Sequence, residues 1–183
     1  MSFPVEFKKF DFRYDSDDLF RIMLGDEQFL IHSVMQINTR ADFDKWLAGQ
    51  FAHNYHDFYV LKNAETRSLI GFIYSYEYSS IDLHCRVCCF LDAHYRDVGI
   101  GAVCTMKFVD ELFSKYPLRK VYADIYDYNE RSLKSIRDAG FTEEVCLKDY
   151  RFYNGKYYDM HTLALDREKF YDVFKKILNS KNG

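Results

Sequence analysis

The stretch from Leu83 to Pro117 constrains the chain more than any other. Leu83 to Leu91 carries the small, β-branched and aromatic residues of a strand, and Arg96-Asp97-Val98-Gly99-Ile100-Gly101-Ala102 follows directly. Val103, Met106, Val109, Phe113 and Tyr116 then recur at three and four residues, which puts them on one face of a helix that Pro117 ends. A turn of this kind leaves the first N–H groups of the helix without intrahelical acceptors, and two glycines let a ligand come close to the backbone. The segment is therefore either a tight turn into a helix or an anion site suited to phosphate. A dinucleotide fingerprint needs a third glycine where Cys104 stands, and a P-loop needs Gly-Lys-Ser/Thr, which the chain lacks. The pyrophosphate of coenzyme A is the cofactor group that remains.

The flanking sequence reads as one domain, residues 1–183, without linkers, repeats or low-complexity stretches. Val5 to Phe12 alternates as a first strand, and Ser16-Asp17-Asp18 opens a short helix toward Gly25. Thr39 and Asp42 form a capping-box pattern ahead of Phe43, Trp46, Leu47 and Phe51 at helical spacing. Phe58 to Leu61 and Leu69 to Tyr78 make a hairpin, and Val121, Ala123 and Ile125 alternate as a later strand. Asn129 caps a short helix that stops at Gly140, Asn154-Gly155 turns a closing hairpin, and Arg167 to Leu178 is a last helix. The order β-α-α-β-β-β-α-β-α-β-β-α predicts a mixed α/β (α+β) sheet rather than a doubly wound one.

The Arg-x-x-Gly-x-Gly-Ala run at 96–102, Asn129-Glu130-Arg131-Ser132 with Ala139-Gly140-Phe141, and Tyr153-Asn154-Gly155-Lys156-Tyr157-Tyr158-Asp159 occur in that order. Together they resemble the GNAT family of N-acetyltransferases, and within it the Rim-type branch of ribosomal-protein N-terminal and small-amine acetyltransferases. The likeness covers about residues 83 to 166. It implies the GNAT-like acyl-CoA N-acyltransferase fold, a central, mostly antiparallel sheet flanked by helices. It also implies acetyl-CoA as cosubstrate and direct attack of a neutral primary amine on the thioester, with no acyl-enzyme.

Under that resemblance Arg96, Asp97, Val98, Gly99, Ile100, Gly101 and Ala102 hold the pyrophosphate, Phe90 and Leu91 pair with the pantetheine arm, and Asn129 contacts the same arm. Asn129 reads equally well as a helix N-cap. Ser132 corresponds to a serine proposed to protonate the leaving thiolate, and reads otherwise as an ordinary first-turn helix residue. The tyrosine that many relatives place seven residues after the asparagine is Ile136 here, and two acidic positions of the family are Arg151 and Thr105. Asp124 and Glu77 are the acidic residues available as a base, a water chain to solvent being the alternative. His84 is a further candidate, although a lone histidine on a strand is more often structural. The acceptor is a small-molecule amine or a peptide N-terminus, and a non-catalytic acyl-CoA-binding module is the competing class. A homodimer is left open.

Composition narrows the partners further. Lys plus Arg count 25 against 28 Asp plus Glu, a net charge of −3, which argues against nucleic-acid binding. No membrane span or signal peptide is evident, so a cytoplasmic location is expected. The five cysteines, odd in number, read as reduced packing residues. Alternation puts Cys85 and Cys89 on one strand face and Cys88 on the other, and no metal is expected. Aromatics reach 19%, and Tyr150, Phe152, Tyr153, Tyr157 and Tyr158 crowd the closing hairpin among Asp149 and Asp159. Asp15, Asp17, Asp18, Asp26 and Glu27 near the first helix are expected on a solvated face.

Overall fold

The computed structural model describes residues 5–24, 39–96 and 99–172. Seven strands run in the order β1-β2-β3-β4-β5-β7-β6. Contacts divide the chain into two compact units, residues 1–77 with 89–104 and residues 78–88 with 105–183.

In the first unit β1 (Val5–Lys9) lies antiparallel to β2 (Tyr55–Asn63), and β2 antiparallel to β3 (Leu69–Ser79). The first strand is shorter than its alternation predicts, because residues 12–15 turn into the helix α1 (Ser16–Leu24). Helix α2 (Arg40–His53) starts on the expected capping box: Thr39 accepts from the Asp42 N–H while the Asp42 carboxylate accepts from the Thr39 N–H. Leu19 and Met23 of α1 and Phe43 and Leu47 of α2 pack with Phe58, Val60 and Phe72. Around this core Phe10, Phe51, Tyr55, Tyr74 and Phe90 extend an aromatic layer, with Phe72 stacked on Phe90 at 4.9 Å.

Asp15 departs from expectation. Its side chain is fully buried, and its carboxylate receives Lys62 Nζ at 2.8 Å, Lys8 Nζ at 3.2 Å and the Asp11 N–H at 3.0 Å. Burial by itself raises its pKa, but the bonds from Lys62, Asp11 and Lys8 outweigh that and hold it below the ordinary 3.8. The expected solvated face fits Asp17, whose side chain is 87% exposed, while Asp26 and Glu27 lie outside the described residues.

In the second unit β4 (His84–Leu91) pairs through its first residues with β5 (Lys120–Tyr126) in parallel, and β5 lies antiparallel to β7 (Lys156–Asp166). Buried Val121, Ala123 and Ile125 alternate along β5 as the pattern predicts. The helix α3 (Ile100–Lys115) ends before Pro117, and α4 (Glu130–Asp138) buries Leu133 and Ile136. Gly140 adopts φ +93°, the left-handed turn after the helix end. Hairpin β6 (Thr142–Tyr153) to β7 turns at Asn154 and Gly155, with φ +46° and +82°. Two positive φ values in a two-residue loop are the geometry that Asn-Gly favours. A last helix begins at Arg167, whose guanidinium donates to the Leu118 and Tyr116 carbonyls. Residues 173–178 of the expected helix lie outside the described residues.

Among the described residues no helix is long and apolar enough to cross a membrane. None of the five cysteines forms a disulfide, and Cys85 and Cys104 are fully buried.

Candidate functional site

The first unit assembles the end of β4, the loop and the opening of α3. Leu91 is buried, and its carbonyl accepts from Arg96 Nε at 2.7 Å, while the Arg96 guanidinium lies 5.1 Å from the Phe90 ring centre. Arg96 thus bridges the strand end and the loop, so the Leu91 carbonyl expected to pair with pantetheine already accepts a bond. Gly99 has φ +75°, which a side chain rarely adopts, and the space beside its Cα is open. Gly101 has ordinary backbone, and among the described residues a Cβ there would meet only Leu91 Cδ1 at 3.5 Å, a normal contact. Among the described residues, packing therefore does not require glycine at 101; leaving room for a ligand would. The first turn of α3, containing Ile100, Gly101 and Ala102, holds no acidic residue that would compete with an anion there. Asp97 and Val98 lie outside the described residues.

The second unit holds Asp124, Asn129 and Ser132. Asn129 caps α4: its Oδ1 accepts from the Ser132 N–H at 3.2 Å. The Ser132 side chain is half-buried on the first turn of that helix. Asp124 sits on β5 with its carboxylate accepting from Arg86 Nη1 at 2.6 Å and from Thr162 Oγ1 at 2.7 Å. Alternation along β4 foretells the side of Arg86, but only the parallel register, which matches Arg86 with Tyr122, brings it to Asp124. His84 packs edge-on against Tyr122 at 5.5 Å, and Glu77 in the first unit has φ +47°.

Just before Asn129 the chain carries Tyr126-Asp127-Tyr128, which the sequence motifs do not single out. Tyr126 and Tyr128 stack at 5.5 Å, Tyr158 meets Tyr128 edge-on at 4.9 Å, and Tyr153 lies 6.0 Å from Tyr128. Burial pushes the Tyr128 phenol well above its ordinary range, so it stays protonated; the nearby Arg151 charge opposes this only in part. Asp127 Oδ1 is shielded from solvent and has no hydrogen-bond partner among the described residues. A carboxylate oxygen in that state is costly unless something binds it. The signal available in the sequence was the Tyr-Asp-Tyr alternation beside the cap, but burial of one oxygen is a tertiary property. Of the hairpin rings, Tyr150, Phe152 and Tyr157 are exposed, so fewer are core than strand alternation would require.

Comparison with curated protein sequences finds no match. Solved structures are similar at low identity. A spermidine N-acetyltransferase from Vibrio cholerae in complex with CoA and spermine gives a TM-score of 0.79 at 16% identity, over 91% of this chain and 98% of that one. The dodecameric form of a Vibrio cholerae spermidine N-acetyltransferase in an intermediate state gives 0.77 at 17%, over 91% and 96%. A spermidine/spermine N-acetyltransferase from that organism in complex with manganese ions gives 0.76 at 16%, over 92% and 96%. These likenesses establish the fold. The family model for the acetyltransferase (GNAT) domain matches residues 7–142. Read with the glycine-bearing loop after β4 and the asparagine-capped α4, that match places the chain in the GNAT family of acetyl-CoA-dependent acetyltransferases.

Proposed function

We propose that this acetyltransferase transfers the acetyl group of acetyl-CoA to a primary amine of a small cationic molecule. The observation that carries the reading is Asp127 Oδ1, shielded and without a hydrogen-bond partner among the described residues, next to the Tyr126–Tyr128–Tyr158 ring cluster. An ammonium group pairs with a carboxylate and lies favourably over aromatic faces. An anionic acceptor does neither. The spermidine acetyltransferases of similar fold act on acceptors of this chemistry, which supports the reading.

In this reading the backbone of Gly99, Ile100, Gly101 and Ala102 binds the pyrophosphate, with Arg96 fixing the loop to the strand end. Asp97 and Val98 belong to the same proposed loop. Phe90 and Leu91 face the pantetheine arm through their remaining backbone groups, and the Asn129 amide reaches the same arm while its oxygen caps α4. The amine attacks the thioester carbonyl as a free base, the acetyl–sulfur bond breaks, the CoA thiolate takes a proton from Ser132 as its proposed donor, and the proton lost by the attacking nitrogen restores the Ser132 hydroxyl. The ammonium proton leaves through water, and Asp124, held by Arg86 and Thr162, is the alternative acceptor.

The test is a panel of polyamines, aminoglycosides, amino acids and peptides with free N-termini, read by CoA release. The expected result is turnover with one or more small polycations, abolished when the same amine is already acetylated. Turnover with peptides alone would make the protein an N-terminal modifier instead. Tight acetyl-CoA binding with no turnover across the panel would overturn the small-amine reading.

A further inference from the structure

On the β6–β7 hairpin, Glu143, Cys146 and His161 bring one carboxylate, one thiol and one imidazole together, with donor atoms all within 4.8 Å of one another. The register explains how. Cys146 lies directly opposite His161, so their side chains share a face. In a regular strand Glu143, an odd number of residues away, would point to the other face. A bulge between Glu143 and Val145 changes this: Glu143 pairs with Leu163, two residues from His161 and on its face. The extra residue, Glu144, is turned to Lys120, with 2.6 Å between carboxylate and ammonium. The Glu143 carboxylate already lies 3.1 Å from His161 Nδ1, and Asp159 Oδ2 lies 3.8 Å from the Cys146 sulfur.

From this geometry we propose that Glu143, Cys146 and His161 form a binding site for a borderline-soft divalent cation of the Zn2+ type. Sulfur, nitrogen and carboxylate oxygen are the donors such an ion takes, at about 2.0–2.3 Å. Tetrahedral coordination at those lengths sets ligand atoms roughly 3.3–3.8 Å apart, so closing the cluster takes about 1 Å of movement. Glu143 supplies it readily through its flexible side chain. Binding converts the Cys146 thiol to thiolate and releases its proton to solvent; His161 binds as neutral imidazole and Glu143 as carboxylate. Water completes the fourth position. Arg137, 2.7 Å from Glu143, and Lys148, 2.6 Å from Asp159, oppose the cation but offset the charge of the ligand set. The bound ion would staple β6 to β7. The expectation of a metal-free protein rested on the Cys85–Cys89 run, whereas this cluster draws on a different cysteine. It stands independently of the acetyl-transfer reading.

The experiment uses the full chain after treatment with a chelator, titrated with Co2+ for its spectrum and with Zn2+ against a chromophoric chelator. One equivalent of Co2+ should give a thiolate-to-cobalt charge-transfer band. The band should vanish in Cys146→Ser, and Zn2+ affinity should fall at least tenfold in His161→Gln and in Glu143→Gln. Glu144→Gln, outside the cluster, should bind as the unaltered protein does. Failure to bind one equivalent overturns the site, as does a band that persists in Cys146→Ser. If Cys146→Ser does not fold, unchanged Zn2+ affinity in folded His161→Gln overturns it equally.

Discussion

The carbonyl oxygen of Phe90 lies directly over Gly71, inside the space that a Cβ there would occupy. Leu91 Cα and Cδ2 crowd the same point at 3.1 and 2.9 Å. Because the nearest atom is backbone, β4 itself would have to move to admit a side chain. Gly71→Ala should therefore cost about 1–3 kcal/mol by overpacking. Gly49, inside α2 with open space around it, provides the opposite case: Gly49→Ala should gain up to about 1 kcal/mol through helix propensity. Denaturant unfolding of both variants checks the contrast, and equal effects would refute it.

Asp15 makes stability sensitive to acid. Its carboxylate is held below the ordinary 3.8 in the folded protein, so its contribution is fully present above about pH 4. It is lost as pH falls through the lowered folded value. Removing one partner of a buried pair costs roughly 3–5 kcal/mol; with the Lys8 side chain 41% exposed, about 2–3 kcal/mol is expected for Asp15→Asn at neutral pH. The stability difference between the two proteins should shrink steadily below about pH 4, as protonation removes the charge from Asp15 itself. A constant difference down to pH 2 would refute the linkage.

The elements most readable from sequence were those whose cause is local. The Thr39–Asp42 box, the Gly140 stop and the Asn154-Gly155 turn each need only a few neighbouring residues, and each took its expected form. The alternation along β5 was equally plain, because one face is buried throughout. Properties set by distant pairing were hidden. Asp15 looked like one more helix-start acid, yet Lys62, 47 positions away, buries it as an ion pair. Gly71 gave no sign in its own strand of the backbone it must admit. The bulge that moves Glu143 to the face of His161 depends on register, which a composition of alternating charges cannot reveal. For the site itself, the loop and cap motifs were visible, whereas the buried oxygen of Asp127 was not.

The loop's role is best tested at Gly101 rather than Gly99. A side chain at Gly99 meets backbone strain at φ +75°, so Gly99→Val confuses folding with binding. Among the described residues Gly101→Ala meets only an ordinary contact with Leu91, and it should keep or slightly raise Tm. If the backbone there lies against the pyrophosphate, CoA affinity should drop at least tenfold, about 1.4 kcal/mol. Calorimetry showing unchanged affinity would remove the loop from the binding site.

Ser132 and Asp124 should separate by kinetics. As the thiolate's proton donor, Ser132→Ala should lower kcat at least fivefold with acetyl-CoA KM unchanged, the mark of a contact made in the transition state. A change within about twofold, a few tenths of a kcal/mol, would assign it to α4 alone. Asp124→Asn instead leaves Arg86 without its anion, and should cost about 1–3 kcal/mol of stability while the pH profile of kcat keeps its shape. Loss of the profile's acidic limb in that variant would restore Asp124 as the base.

Asp127 carries the acceptor reading, and its removal should be felt by the amine alone. Asparagine keeps the size and one oxygen but loses the charge. A charge-assisted hydrogen bond is worth roughly 1.5–3 kcal/mol, so Asp127→Asn should raise KM for the preferred cationic amine by about 10- to 100-fold. The KM for acetyl-CoA should not move. Stability should stay level or rise, because the variant no longer buries a charged oxygen without a partner. Tyr128→Phe offers a control on the rings: it keeps the face that meets a cation and removes only the hydroxyl, so amine KM should change less than threefold. An acceptor KM that ignores Asp127→Asn, with folding intact, would take this carboxylate out of the amine site.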